Sequence, residues 1–258
     1  MIVAVTLLCA CGTSTKEALT SVRNDWENEH LNGMVKTMEE MEFTPDSLGN
    51  ISEMDSCCLT IFQYDEKGFE SSLTEKDISG VITFRSVFER TEGGLLVSST
   101  DTKDGKQDGG REVTRDAEGK FIYGMHADAA GNMKYFFTEI KENEFGQAIS
   151  GKMYSPDSSL IGTWGRHYVD GLPAGRSWSG SDGKLIHDYK GEVNAQGHLS
   201  KMTATVAAGD DSTITFVTTF VYDSFDEAGN WTQRTEIDED GKVKEVKKRM
   251  YTYFKETR

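Results

Sequence analysis

Proline is nearly missing from this chain, with 3 among 258 residues against 26 glycines. Its turns must therefore rest on Gly, Asn and Asp. Positive charge is also short. Lys and Arg number 28 against 43 Asp and Glu, a formal net charge of −15. That balance excludes nucleic acid as a partner and excludes electrostatic docking on anionic lipid. No apolar run approaches the roughly 18 residues a membrane-crossing helix needs. Apolar residues make up 36% of the chain and the mean hydropathy is −0.52. This is leaner than an average globular domain, and it favours a thin or open β-architecture over a thick two-layer core. The common catalytic signatures are lacking too: no Gly-x-Ser-x-Gly, no His-Glu-x-x-His, no Walker loop and no Cys-x-x-Cys. Gly109-Gly110-Arg111 and Glu92-Gly93-Gly94 lack the strand–loop–helix setting of a phosphate cradle, so no nucleotide and no cofactor is expected.

What is there is a repeated strand–turn–strand unit. Its strongest copy runs from Thr215-Phe216-Val217-Thr218-Thr219-Phe220-Val221-Tyr222-Asp223 through Asp226-Glu227-Ala228-Gly229-Asn230 into Trp231–Ile237. A second turn, Asp238-Glu239-Asp240-Gly241, leads to a last strand ending near Phe254. Weaker copies recur upstream, with turn glycines at 49, 68, 119, 131, 146, 183, 197, 229 and 241. The physics of the unit predicts its shape. The Asp side chain bonds backbone amides, two residues follow in helical space, and Gly takes positive φ. The expected fold is all-β: an antiparallel β-meander of hairpin repeats, about fourteen strands in one large curled sheet, with a short N-terminal tether or helix. Leu19, Val22 and Trp26 supply the helical spacing, closed by Gly33. Two stretches break the rhythm. Asp101–Gly110 reads as a mobile polar loop, and residues 151–180 read as the least regular region.

Tyr64-Asp65-Glu66-Lys67-Gly68 and Tyr222-Asp223 with Asp226–Trp231 resemble the YD repeats of Rhs-type proteins. The closest likeness is to small bacterial lipoproteins that carry a few such repeats. Gly33-Met34-Val35 to Phe43, followed by Asp46–Asn50, resembles their opening, and Gly229–Thr235 resembles their ending. The resemblance covers about half the chain. It implies an antiparallel meander and no particular activity. The first eleven residues, Met1–Cys11, are uncharged and apolar and end in Leu8-Cys9-Ala10-Cys11. This is similar to the lipobox of a bacterial lipoprotein. That resemblance implies cleavage before Cys11, acylation of Cys11, and a membrane partner reached through the lipid. No Lys or Arg precedes Cys11, so a basic segment upstream of Met1 is expected. The implied organisation is a signal peptide over 1–10, a lipid-anchored tether over 11–32 and the repeat domain over 33–258. The implied setting is the cell envelope, on the periplasmic face of the outer membrane. Cys57 and Cys58 are strand neighbours, expected as two free thiols rather than a disulfide or a metal site.

Trp164, Tyr168 and Trp178 are the leading candidates for a ligand surface, because rings in a Gly-rich region can stack on sugars or peptides. His126, His167, His187 and His198 read as structural, and Asp238-Glu239-Asp240-Gly241 reads as a hairpin turn before it reads as a calcium loop. The segment Lys242–Arg258 holds seven Lys or Arg and two Asp or Glu. It reads as a charged last edge that discourages edge-to-edge pairing. The expected function is a non-enzymatic envelope lipoprotein that binds or scaffolds, with a glycan or peptide as ligand. Two contrasting readings stand beside it. One is an enzyme on glycan or peptidoglycan that uses acidic residues of the concave face. The other is a repeat-type shell fragment that partners a toxin.

Overall fold

The structure is a computed structural model that describes residues 23–46, 51–209 and 212–255, and of residues 52–58 the backbone only. Cys11, the expected signal peptide and most of the expected tether lie outside the described residues, as does the turn over 47–50. Cys57 and Cys58 fall where side chains are not described.

A four-residue helix, α1 (Asp25–Asn28), precedes sixteen strands. They are β1 (Val35–Pro45), β2 (Ile51–Tyr64), β3 (Glu70–Lys76), β4 (Ile82–Arg90), β5 (Leu96–Lys103), β6 (Lys106–Arg115), β7 (Phe121–Asp128) and β8 (Met133–Glu142). They continue as β9 (Ala148–Tyr154), β10 (Leu160–Val169), β11 (Leu172–Gly180), β12 (Leu185–Val193), β13 (Leu199–Ala207), β14 (Thr213–Phe225), β15 (Trp231–Ile237) and β16 (Val243–Tyr253). Each pairs antiparallel with its sequence neighbours, and β1 pairs with β16, so the sheet closes into a barrel. The expected open curled sheet is thus corrected. The meander is right, but strand twist accumulated over sixteen strands brings the two edges together. The expected charged edge is corrected with it. Glu40 lies opposite Arg249 and Glu42 opposite Lys247, so the basic residues of β16 zip the seam.

Strand chemistry is plain in β14, whose Thr, Ile, Phe, Val and Tyr suit a pleated surface. The turn that follows it works as the sequence implies. Asp226 Oδ1 accepts from the backbone N–H of Ala228 (3.0 Å) and Asn230 (2.8 Å), while Gly229 takes φ +87°. Asp65, Asp116, Asp128 and Asp238 close their turns the same way, and Asn143 and Asn194 substitute for Asp. A register shift beside most turns marks a bulge that tightens the local twist. Two expectations about irregularity are overturned. Residues 101–110 form the end of β5, a two-residue turn at Asp104-Gly105 and the start of β6. Residues 151–180 are paired strands, most of β9 with all of β10 and β11, joined by two turns and interrupted by bulges near Leu160 and His167.

Turns after even-numbered strands rim one mouth of the barrel, and turns after odd-numbered strands rim the other. Residues 23–34 lie across the even mouth. Asn24 caps α1 by accepting from the Glu27 N–H at 2.9 Å, and the Glu27 carboxylate accepts from the Asn24 N–H at 3.2 Å. From there the segment ties down around the rim. Arg23 donates to the Asp170 carbonyl (3.2 Å), Gln147 donates to Asn28 (2.8 Å), and the Asn32 N–H donates to Asn230 (2.6 Å). Trp26 donates to the Val35 carbonyl at 2.8 Å and joins Leu31, Phe62 and Tyr251 around the fully buried Val35 and Met38. This is the core, small as the composition requires, and it seals that mouth.

Candidate binding site in the barrel lumen

The inner face is fixed by the docked segment. Arg249 reaches Glu29 of that segment at 3.8 Å, so its side of β16 faces the lumen. Direct cross-strand pairing carries the assignment round the wall: Arg234 opposite Lys247 and Tyr222, then Phe216 and Tyr189 opposite Ala204. It continues with Arg176 opposite Tyr189, Arg166 opposite Arg176, Trp164 opposite Gly151, and Phe137 opposite Met153 and Gly124.

On β9 to β11 this register builds an aromatic wall. Trp164 and Trp178 are direct cross-strand partners, each backed by a glycine. A Cβ on Gly151 would sit 2.8 Å from the Trp164 ring, and one on Gly162 would sit 2.6 Å from the Trp178 ring. The glycines that made this stretch look irregular are therefore the seats on which the indoles lie. Phe137 meets Trp164 edge-on at 6.3 Å, and a chain of rings continues through Tyr135 to His126. Trp164 Nε1 is buried with no hydrogen-bond partner among the described residues. Trp164, Trp178 and Phe137 line a cavity of about 530 Å³ together with Arg111, Arg166, Arg176, Phe121, Met153 and His187. Burial, then the neighbouring Arg176, holds the His187 pKa below its ordinary value despite Asp188, which favours the neutral ring. No Asp or Glu lines this cavity.

The opposite wall, on β15, β16 and β1, is charged in another way. Arg249 donates to Glu40 at 2.6 Å, and its guanidinium lies 3.9 Å from the Trp231 ring centre. Lys247 sits among Glu42, Glu245 (3.1 Å) and Glu40 (3.6 Å), and Arg234 pairs with Glu236 at 2.6 Å. Burial alone would raise the Glu40 pKa, but Arg249 and Lys247 outweigh it and hold the carboxyl below its usual range. Burial likewise opposes the Arg249 charge, and Glu40 and Glu29 overcome it.

Of the three residues expected at a ligand surface, the fold brings Trp164 and Trp178 together. Tyr168 lies lower on β10, with its hydroxyl 3.5 Å from the Ala148 carbonyl, and lines a neighbouring cavity that shares Arg166 and Arg176. The arginines were missed, although a signal existed. Trp164-Gly165-Arg166 and Arg176-Ser177-Trp178 are mirror images about Gly171, so one hairpin turn sets each residue opposite its twin. The expected histidines are dispersed. His187 faces the cavity, His126 stacks on Tyr135, His167 bonds Asp188 at 2.7 Å on the outer face, and His198 packs edge-on against His30 at 5.3 Å.

The outward face of the barrel carries both charged and apolar side chains. An outer-membrane barrel turns an apolar band about 25 Å tall towards lipid. Here the outward positions along the strands include Arg85, Glu112, Lys152, Asp188, Lys190 and Lys201, with a Thr ladder on β13 and β14. Lys152 pairs with Glu139 at 2.7 Å and Lys201 with Glu192 at 3.0 Å. The same face also carries the stacked row Tyr123–Phe136–Tyr154 and the exposed Val87, Val221 and Met250, so the outer wall is mixed in character.

No protein-family model matches the sequence, and no curated protein matches it. Among solved structures, a porin-like protein from Bacteroides uniformis is similar over 84% of this chain and 98% of its own, with 11% identity and a TM-score of 0.54. A porin-like protein from Bacteroides vulgatus is similar over 86% of this chain and 99% of its own, with 9% identity and a TM-score of 0.36. A TcdB2-TccC3-Cdc42 structure is similar over 76% of this chain and 12% of that one, with 11% identity and a TM-score of 0.30. The first is a likeness of fold, and the other two are too weak to carry an argument.

Proposed function

We propose that this chain is a non-enzymatic binding module of the cell envelope that holds a ring-bearing ligand, such as a glycan, inside its barrel. The observation that carries the reading is the cross-strand Trp164–Trp178 pair, seated on Gly151 and Gly162 and lining a cavity of about 530 Å³. Two flat rings held on a regular sheet are a preorganised stacking surface. Access is from the odd mouth, because the even mouth is crossed by residues 23–34 and nothing among the described residues crosses the other. The reading as a glycan-cleaving enzyme has less support. Such an enzyme needs two carboxylates flanking the bond, and this cavity is lined by none.

The envelope setting rests on Cys11 and its resemblance to an acylated lipobox cysteine. The ion pairs Lys152–Glu139 and Lys201–Glu192 among the apolar side chains of the outer wall support attachment through a lipid tether. Replacing Cys11 by Ala should move the protein from the membrane to the soluble fraction, and retention in the membrane would remove the lipid anchor from this reading. For the site itself, binding of the full chain to an array of glycans and peptidoglycan fragments should weaken about tenfold or more in a Trp164→Ala/Trp178→Ala variant. Equal binding by the variant, with its fold intact by circular dichroism, would exclude the lumenal platform.

A further inference from the structure

We infer that the lumenal ligand is an organic anion: a carboxylate, sulfate or sulfonate carried on a flat ring. This rests on the lumenal site proposed above and adds the charge of what it takes. Among the described residues seven arginines face the lumen, and they divide into two groups. Arg90 pairs with Asp25 at 3.0 Å, Arg115 with Glu142 at 3.3 Å, Arg234 with Glu236 at 2.6 Å and Arg249 with Glu40 at 2.6 Å. Arg111, Arg166 and Arg176 make no ion pair and no side-chain hydrogen bond among the described residues, and all three line the Trp164–Trp178 cavity. All three are also exposed to solvent.

Arg166 and Arg176 are direct cross-strand partners on the same face. Like charges so placed repel, and a sheet gains nothing structural from them. With 43 acidic residues in the chain, the lack of one here is a feature of the site rather than of the composition. A rule of sheet construction broken at one place, inside a cavity, is the signature of a binding function. The guanidinium groups are also oriented by rings: Arg166 lies 6.0 Å from the Trp164 ring centre, and Arg176 lies 5.7 Å from that of Tyr189. A planar ligand lying on the indoles would bring an acidic substituent to these forks, which bind carboxylate and sulfate oxygens in bidentate fashion. The net charge of −15 repels long polyanions at a distance, so the fitting anion is small enough to enter the lumen.

A matched pair of dyes tests this. Anilinonaphthalene sulfonate and phenylnaphthylamine share one aromatic frame and differ by the sulfonate. The full chain, titrated at low ionic strength and followed by dye fluorescence, should bind the sulfonated dye at least about tenfold more tightly. In Arg166→Gln/Arg176→Gln that preference should disappear while affinity for the neutral dye stays the same, and Arg111→Gln should reduce it. Equal affinity for the two dyes in the wild type, or a preference that survives in the double variant, would overturn the inference. Dye binding that depends on Trp164 and Trp178 but shows no sulfonate preference sinks the anion and leaves the lumenal site standing. Binding of both dyes that is indifferent to Trp164→Ala/Trp178→Ala, or no binding of either, sinks the site and the anion together.

Discussion

The two walls of the lumen carry comparable charge and use it in opposite ways. On β15, β16 and β1, every Arg and Lys that faces inwards meets a carboxylate, and the Arg249 side chain is only 9% exposed. On β10 and β11, Arg166 and Arg176 face each other unpaired and open to solvent. The difference follows from what each wall must do. The first is where the two ends of the sheet meet, and buried charge there is tolerable only when paired. The second is held by an ordinary hairpin and needs no charge to close. Paired charge marks the seam, and unpaired charge marks the surface kept for a ligand.

Breaking the first wall should produce the largest effect. Arg249→Ala leaves Glu40 without its 2.6 Å partner in a buried setting, and it should cost about 3–5 kcal/mol in urea denaturation. A loss below about 1 kcal/mol would mean that the seam closes without its ion pairs. Acid should expose the same wall with a definite sign. Glu40 has a depressed pKa in the folded state. Its contribution is therefore present above the ordinary carboxylate value and lost as pH falls through the depressed one. The stability gap between wild type and Glu40→Gln, on the order of 1–3 kcal/mol at neutral pH, should close on acidification. Glu70 acts in the opposite sense, since burial and the neighbouring Asp25 push its pKa up to about 8. Its contribution is lost as pH rises, and it cancels in that difference. A gap that does not change with pH would place the Glu40 effect in packing rather than charge.

The two walls were unequally legible in the sequence. The hairpin chemistry of Asp226–Asn230 could be read directly, because a turn is a local event. The aromatic wall was half legible. Trp164 and Trp178 stood out, but glycines spaced among them read as irregularity, since a glycine that seats a ring looks the same in sequence as one that breaks a strand. Arg166 and Arg176 were legible in principle from the mirror symmetry about Gly171. Closure was not, because the pairing of Glu40 with Arg249 spans nearly the whole chain and depends on the register of every hairpin between. The same reason hid the docking of residues 23–34, whose partners Asn230 and Gln147 lie far away in sequence.

Smaller effects sharpen the second wall. Gly151→Ala puts a methyl 2.8 Å from the Trp164 ring, so the indole must move, at a cost of about 1–3 kcal/mol in thermal or urea unfolding. The near-ultraviolet circular dichroism should change with it, since the Trp164–Phe137 geometry is disturbed. An unchanged spectrum would mean that the ring is not held by its seat. Arg176→Gln should do least. It removes a charge that has no carboxylate partner to strand, that lies 5.7 Å from the Tyr189 ring centre and that is repelled by the Arg166 opposite it. The expected change is within about 0.5 kcal/mol, with stabilisation the favoured sign, and it should grow as salt is removed. Were Arg176→Gln to destabilise the fold by as much as Arg249→Ala, its charge would be structural and the two walls would differ only in appearance. A near-zero cost beside a lost preference for the sulfonated dye would mean the opposite: an arginine kept at no benefit to the fold is kept for the ligand.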